Sequence, residues 1–275
     1  MSGSPADQTD DHPCCLEGLG RITWPDPWPN NDADVKRWRI TAPYEFFETR
    51  ATLIERLLVH NPDSIDAIAL AGIALGSLSE FRFRDPTDRA PDPNQRRFRM
   101  LLLQHCSSFV NRMSIPEVLR MIRRDAQYRA FEAPIASHYP IARVFQMRRA
   151  EEDPLAADFR TWASSQSPPV PDALFARDYA GCIFRLYRNP VIHELRVANG
   201  REAHYVGIEP HDERPIFYSN HSSSADSTIE AVRDADPVEY MRFGVQPTYL
   251  LTLLREAISS VREWALTNDV DLFPR

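Results

Sequence analysis

Residues 64–83, SIDAIALAGIALGSLSEFRF, are nearly all small or apolar. A helix of this composition has no continuous polar face, and such helices are stable when neighbouring elements cover them. We therefore predict a central buried helix over 64–83. Pro62 lies just before this stretch and is expected to end the helix that precedes it.

Helical patterns continue through most of the chain. Apolar residues recur at steps of three and four in residues 44–60. Ser114-Ile115-Pro116-Glu117 is a capping box with proline in the first turn, which predicts that a helix begins there. Further helices are predicted at 95–112, at about 172–187 with an interruption at Pro190, and at about 247–267, with shorter helices between 128 and 165.

The sequence changes character at residue 195. Residues 195–197, 203–208 and 215–218 are typical of short strands, and Asn199-Gly200 favours a hairpin turn because both residues tolerate positive φ. We predict a mainly α fold, an antiparallel helical bundle with a small β-hairpin or meander insertion at about 195–219 before the last helix.

Charge is unevenly distributed along the 275 residues. The net charge of −7 argues against a general nucleic-acid binder, but residues 1–35 hold seven acidic residues against one arginine. We predict that 1–35 form an acidic, proline-rich, partly disordered tail and that 36–275 form the helical domain. Seven arginines and one acid, Glu117, lie between Arg96 and Arg124, which predicts either a basic face or a solvated helix surface.

Several classes of function have no motif in the sequence. The nine glycines form neither a dinucleotide-binding fingerprint nor a phosphate-binding loop. His193-Glu194 begins like a zinc-protease motif, but Val197 stands where the second histidine would be. His204 and His211 have no metal-ligand spacing. We therefore expect no metal and no cofactor.

The cysteines and the hydropathy pattern bear on location. The four cysteines form no C-x-x-C pair, which favours an intracellular, reduced protein. The sequence has no run of about 18 apolar residues, so no membrane span is predicted. The polar, acidic N-terminus is unlike a secretory signal. We expect a cytoplasmic protein without a membrane partner.

One short segment contains candidate catalytic residues. Arg188 is followed by Asn189 and Pro190, and His193 comes after four intervening residues. Two other pairs have similar spacing, Arg99/His105 and Arg214/His221, but neither has the adjoining asparagine and proline. The segment resembles the R-x4-6-H motif of the HEPN superfamily, compact α-helical proteins that include many metal-independent ribonucleases.

The resemblance implies a specific kind of enzyme. It predicts a HEPN-type endoribonuclease that acts on RNA (tRNA or mRNA) in a toxin or phage-defence role, with an antitoxin or defence-system partner. It also implies a homodimer whose composite site holds two arginines and two histidines. One branch of the family has a tyrosine two residues after the histidine; Leu195 stands there in this chain, so regulation by modification at that position is not expected.

The residue types suit cleavage of RNA. On a straight helix, side chains five residues apart point about 140° away from each other, and Pro190 is expected to kink the helix and bring them together. His193 can transfer protons near neutral pH, and Arg188 can bind phosphate oxygens. Asn189 can hydrogen-bond a freed carbonyl or the phosphate. Attack by the RNA 2′-hydroxyl would then leave a 2′,3′-cyclic phosphate and a 5′-hydroxyl end.

Other interpretations of the same residues remain open. Arg188 can instead pair with Glu194 or cap a helix, with His193 on the surface. Arg185 and Tyr187 are candidates to contact nucleotides, although Tyr187 would pack inside if its helix faces a core. Glu80 can orient the site or form an ion pair. The alternative functions are a non-catalytic HEPN-like module that binds RNA, nucleotide or protein, and a purely structural helical adaptor.

Overall fold

The central helix of the structure, a computed structural model, is α2 (Ile65–Phe83). The structure describes residues 32–62, 64–85, 92–106, 108–141, 150–188, 215–220, 238 and 241–270. The Ser64 side chain caps α2 by accepting a hydrogen bond from the Ala67 amide at 3.2 Å. The predicted bounds of this helix are therefore confirmed. Its burial is incomplete, because Ile73 is 45% exposed on a face shared with Ser77.

The remaining described elements are mostly helical, which confirms the predicted mainly α class. The α-helices are α1 (Asp32–His60), α3 (Pro93–His105), α4 (Ile115–Arg124), α5 (Glu132–His138), α6 (Ala156–Ser164), α7 (Tyr179–Ile183) and α8 (Pro247–Thr267). Short 3₁₀ turns cover Ser108–Val110, Ala126–Phe131, Ala150–Glu152 and Asp172–Arg177, and a π-helix covers Phe184–Arg188.

The apolar side chains form two clusters. The larger joins α1, α2, α3 and α8 and includes Leu75 and Leu254, both fully buried. The smaller joins α4, α5, α6 and the turn Asp172–Arg177, with Phe159 at its centre. The bounds of α8 match the prediction, and α1 ends at His60, just before Pro62, as expected.

Helix α1 begins earlier than the sequence pattern predicted. It starts at Asp32 rather than at residue 44, so the end of the predicted tail at residue 35 falls inside a helix. Pro43 lies within α1 and did not prevent the helix from extending past it toward the N-terminus. Residues 1–31, the remainder of the predicted tail, are outside the described residues.

The predicted helix over 172–187 is three consecutive elements. The 3₁₀ turn Asp172–Arg177 ends before Asp178, whose carboxylate caps α7 by accepting from the Gly181 amide at 2.7 Å. A Cβ on Gly181 would lie 2.2 Å from the Ala176 carbonyl oxygen, so this tight junction requires glycine. The prediction of one continuous helix was wrong because Asp178 begins a new helix at this point.

The described strands form one antiparallel pair. Strand β1 (Ile216–Asn220) pairs with β2 (Met241–Val245), and Tyr218 lies opposite Phe243. The predicted strand at 215–218 overlaps β1, but β2 lies beyond the predicted insertion at 195–219 and was not predicted. The predicted strands at 195–197 and 203–208 and the Asn199-Gly200 turn lie outside the described residues.

A buried aspartate links the strand pair to the helices. Asp153 Oδ2 accepts hydrogen bonds from the hydroxyls of Tyr179, at 2.8 Å, and Tyr218. Its Oδ1 accepts from the Ile115 amide at 3.3 Å, and Ser114 Oγ lies 2.7 Å from the Tyr218 hydroxyl. One carboxylate thus joins the N-terminus of α4, the helix α7 and the strand β1.

We predict that Asp153→Asn lowers the free energy of unfolding by about 2–3 kcal/mol, since it weakens charge-assisted hydrogen bonds and turns an amide group toward buried partners. Urea denaturation checks this value. The matched control Asp158→Asn changes an exposed aspartate on α6 and should alter stability by less than about 0.5 kcal/mol. Equal effects of the two substitutions would contradict the structural role of Asp153.

Candidate functional site at Arg188

The π-helix that ends at Arg188 lies directly against α2. A Cβ placed on Gly72 would be 3.4 Å from Arg188 Cα, and one placed on Gly76 would be 3.3 Å from Arg188 Nε. The two glycines are four residues apart and therefore share one face of α2. The space between this face of α2 and Arg188 therefore holds little more than a Cβ atom. A π-helix is uncommon and is often found at functional sites.

Arg188 lines a pocket of about 410 Å³. Its guanidinium also lies over an aromatic ring, with Cζ 5.2 Å from the centre of the Phe184 ring. The other lining residues come from α2, α3 and the π-helix: Gly76, Ser77, Ser79, Glu80, Phe81, Asn94 and Phe184. The pocket therefore combines a cation, hydroxyl and amide groups and two aromatic rings.

The guanidinium of Arg188 is partly removed from water. Burial lowers the pKa of Arg188, while the Asp92 carboxylate acts in the opposite direction. An arginine stays protonated at neutral pH in spite of such a shift. A positive charge that is partly removed from water attracts an anion more strongly than an exposed one does.

Glu80, in the same pocket, forms an ion pair. Its carboxylate accepts from Arg97, which also donates to the Asp85 carbonyl at 3.3 Å. Of the two roles considered for Glu80, the structure shows the ion pair. Because Arg97 balances the charge of Glu80, the carboxylate opposes an incoming anion less than an isolated one would.

The rest of the motif follows Arg188 in the sequence. His193, Asn189 and Pro190 lie outside the described residues. The kink at Pro190 and the meeting of His193 with Arg188 therefore stay predictions.

The two residues predicted to contact nucleotides have different surroundings. Tyr187 is 1% exposed, and its hydroxyl donates to the Phe243 carbonyl and accepts from the Val245 amide, both at 3.0 Å. This burial contradicts direct contact with a substrate; Tyr187 instead holds the π-helix to β2.

Arg185 is half-buried, pairs with Glu117 and lines a second pocket that shares no residue with that of Arg188.

Arg99 and His105 make separate contacts inside the fold. Arg99 pairs with Asp178 and donates to the Phe175 carbonyl at 3.0 Å. His105 Nε2 accepts from Arg82 Nε at 3.2 Å, and its Nδ1 lies 2.9 Å from Ser260 Oγ. Burial, followed by the charge of Arg82, lowers the pKa of His105 to about 4, so this ring is neutral near pH 7. His105 is the structural histidine that its position in a core-facing helix suggested.

The arginine-rich stretch from Arg96 to Arg124 does not form a purely solvated surface. Among the described residues, four of its seven arginines make ion pairs with carboxylates: Arg97 with Glu80, Arg99 with Asp178, Arg120 with Glu117 and Arg123 with Glu132. Three of these acids belong to other segments of the chain, so net charge counted along the sequence did not reveal the pairing.

An apolar pocket adjoins the Arg188 pocket. It measures about 200 Å³, and Ser77 lines both pockets. Phe46 and Ile73 contribute partly exposed apolar surface to it, and Arg50 lies over the Phe46 ring at 4.9 Å. The sequence analysis did not identify these residues or the glycines of α2, although the Gly72-x-x-x-Gly76 spacing is visible as a signal for close packing.

Within the described ranges, no three histidine, cysteine or acidic side chains gather into a group able to hold a metal ion. No helix in that part of the chain combines the length and the apolar character needed to span a bilayer. No protein-family model matches the chain, and neither a curated protein nor a solved structure does so.

We predict that Gly72→Leu destabilises the protein by about 1–2 kcal/mol. Overpacking of the contact with Arg188 by the new side chain should cost about 1–3 kcal/mol. The higher helix propensity of leucine should offset up to about 1 kcal/mol of that cost. Chemical denaturation measures the difference. Ile73→Leu, at the next and partly exposed position, is the control and should be nearly neutral; a neutral Gly72→Leu variant would contradict the close approach.

The low pKa of His105 predicts a pH dependence of stability. The unfolded chain protonates this histidine below about pH 6.5, whereas the folded protein does so only near pH 4. Stability should therefore fall as the pH drops between these values. Over this window, the free energy of unfolding of the wild type should fall relative to that of His105→Gln. Between pH 7 and 8, the difference in this free energy between the two proteins should stay constant. A constant difference down to pH 4.5 would argue against the buried neutral ring.

Proposed function

We propose that the protein is a metal-independent endoribonuclease of the HEPN type, in which Arg188 binds the scissile phosphate. The observation that carries the proposal is the setting of Arg188: a partly desolvated guanidinium held on the glycine face of α2 and lining an open pocket of about 410 Å³. This is the arginine of the motif, and the described helices are consistent with the mainly α class of that superfamily.

The proposed reaction needs only side chains of the protein and the RNA. The 2′-oxygen forms a bond to phosphorus as its proton passes to a base, and the bond from phosphorus to the 5′-oxygen breaks as that oxygen receives a proton. His193 would carry the proton transfers. Arg188 would stabilise the negative charge that develops on the phosphate oxygens, and Asn189 would hydrogen-bond the phosphate or a backbone carbonyl. The products are a 2′,3′-cyclic phosphate and a 5′-hydroxyl end.

The neighbouring apolar pocket supports a single-stranded substrate. A base next to a phosphate bound at Arg188 would lie near Ser77 and could reach the exposed part of Phe46. Aromatic side chains bind bases with little dependence on sequence. The proposal includes a homodimer that pairs two copies of the motif, a tRNA or mRNA substrate, and a toxin or defence role with an antitoxin or defence-system partner.

We predict that purified protein cleaves RNA in the presence of EDTA, and that Arg188→Ala and His193→Ala each reduce the cleavage rate about 100-fold or more, the range expected for loss of proton transfer or of charge stabilisation. The measurement is cleavage of tRNA and total RNA followed on denaturing gels, with the product ends identified as cyclic phosphate and 5′-hydroxyl.

Two matched controls separate chemistry from general charge loss. Arg129→Ala and His60→Ala change exposed residues on a 3₁₀ turn and at the end of α1, and both variants should cleave like the wild type. Equal cleavage by His193→Ala and wild type would reject the nuclease. RNA binding that depends on Arg188 without any turnover would instead favour the non-catalytic binding module.

A further inference from the structure

A second pocket lies where α4 ends. It measures about 220 Å³ and is bounded by α4, the turn Asp172–Arg177 and the π-helix. Four arginines line it, together with two acids and a methionine: Arg120, Arg124, Arg177, Arg185, Glu117, Asp125 and Met121. Counted formally, the positive charges exceed the negative charges by two.

The two acids are already engaged by protein groups. The buried Glu117 carboxylate accepts from Arg120 through one oxygen and from Arg185 through the other. Asp125 caps the following 3₁₀ turn, accepting from the Gln127 amide at 3.2 Å and from its side chain at 2.6 Å. Within the described part of the chain, neither carboxylate forms an ion pair or hydrogen bond with Arg177.

Arg177 is the least compensated charge of this pocket. It is half-buried, and its Nε donates to Met121 Sδ at 3.2 Å, a weak acceptor. Within the described residues no carboxylate forms an ion pair with it. Burial, followed by the charge of Arg185 and with a contribution from Arg124, lowers the pKa of Arg177 to about 10, so the group is still protonated at neutral pH.

A half-buried charge without a counter-charge is less well solvated than an exposed one, and an anion bound beside it would offset part of that cost. Arginine binds tetrahedral phosphate through paired N–H donors. Arg177 and Arg185 approach the pocket from different elements, so one phosphate can contact both guanidinium groups. The volume is sufficient for a phosphate and the first atoms of the group attached to it.

We propose that the pocket formed by Arg177, Arg185 and the end of α4 binds a phosphate group. The proposal does not depend on the nuclease activity, because the pocket shares no lining residue with that of Arg188. The phosphate can belong to a small phosphate monoester or to an RNA backbone, and both present the same oxygens to the arginines.

Thermal unfolding of the full chain tests the proposal. At constant ionic strength, replacing chloride by inorganic phosphate should raise the Tm of the wild type by about 3 °C or more once phosphate is tenfold above its Kd. Arg177→Gln should lose this response, while Arg129→Gln, at an exposed position, should keep it. The same Tm in phosphate and chloride, or a full response by Arg177→Gln, would overturn the site.

A measurement on the wild type covers the case in which Arg177→Gln does not fold. Phosphate should shift the Nε–Hε NMR signals of Arg177 and Arg185 in a saturable manner, while the Arg129 signal stays in place. Adenosine monophosphate and an RNA strand without a terminal phosphate distinguish a phosphate monoester from an RNA backbone as the ligand. The probe that shifts the same signals at the lower concentration identifies the source of the phosphate. Absence of a shift with all three probes would overturn the proposal, whether or not the protein cleaves RNA.

Discussion

The contact between the π-helix Phe184–Arg188 and the glycine face of α2 positions Arg188 beside that helix. Gly72 and Gly76 allow Arg188 to lie against the helix at van der Waals distance, and Tyr187 fixes the other side of the same segment to β2. With both sides held, Arg188 and Arg185 line separate pockets.

Internal ion pairs then decide which arginines remain available for a ligand. Glu80, Glu117 and Asp178 neutralise arginines that count as excess positive charge along the sequence. Arg177 has no carboxylate ion pair within the described residues, and burial lowers the pKa of both Arg177 and Arg188. These are the two arginines at which we propose that a phosphate binds. The acidic net charge of the chain therefore does not prevent local attraction of phosphate.

Helix boundaries were predicted best where a single local feature of the sequence sets them. The apolar stretch of α2, the pattern of α8 and the proline after α1 gave correct boundaries. The Ser114 cap was also correct, although Glu117 turns to Arg120 and Arg185 instead of completing the capping box. The break at Asp178 and the strand β2 were missed because a capping contact and a pairing partner depend on neighbours in space. The pockets were missed for the same reason: their walls come from separate elements.

A crystal structure of the protein with an RNA strand carrying a 2′-deoxy nucleotide at the cleavage position tests the central claim most directly, since that strand binds but cannot react. The account predicts a phosphate oxygen about 3 Å from the Arg188 guanidinium, with the His193 imidazole of either subunit beside the 2′ carbon of the same nucleotide. If the phosphate that follows the 2′-deoxy nucleotide lies away from Arg188, or if His193 faces the opposite side of the molecule, the account is contradicted.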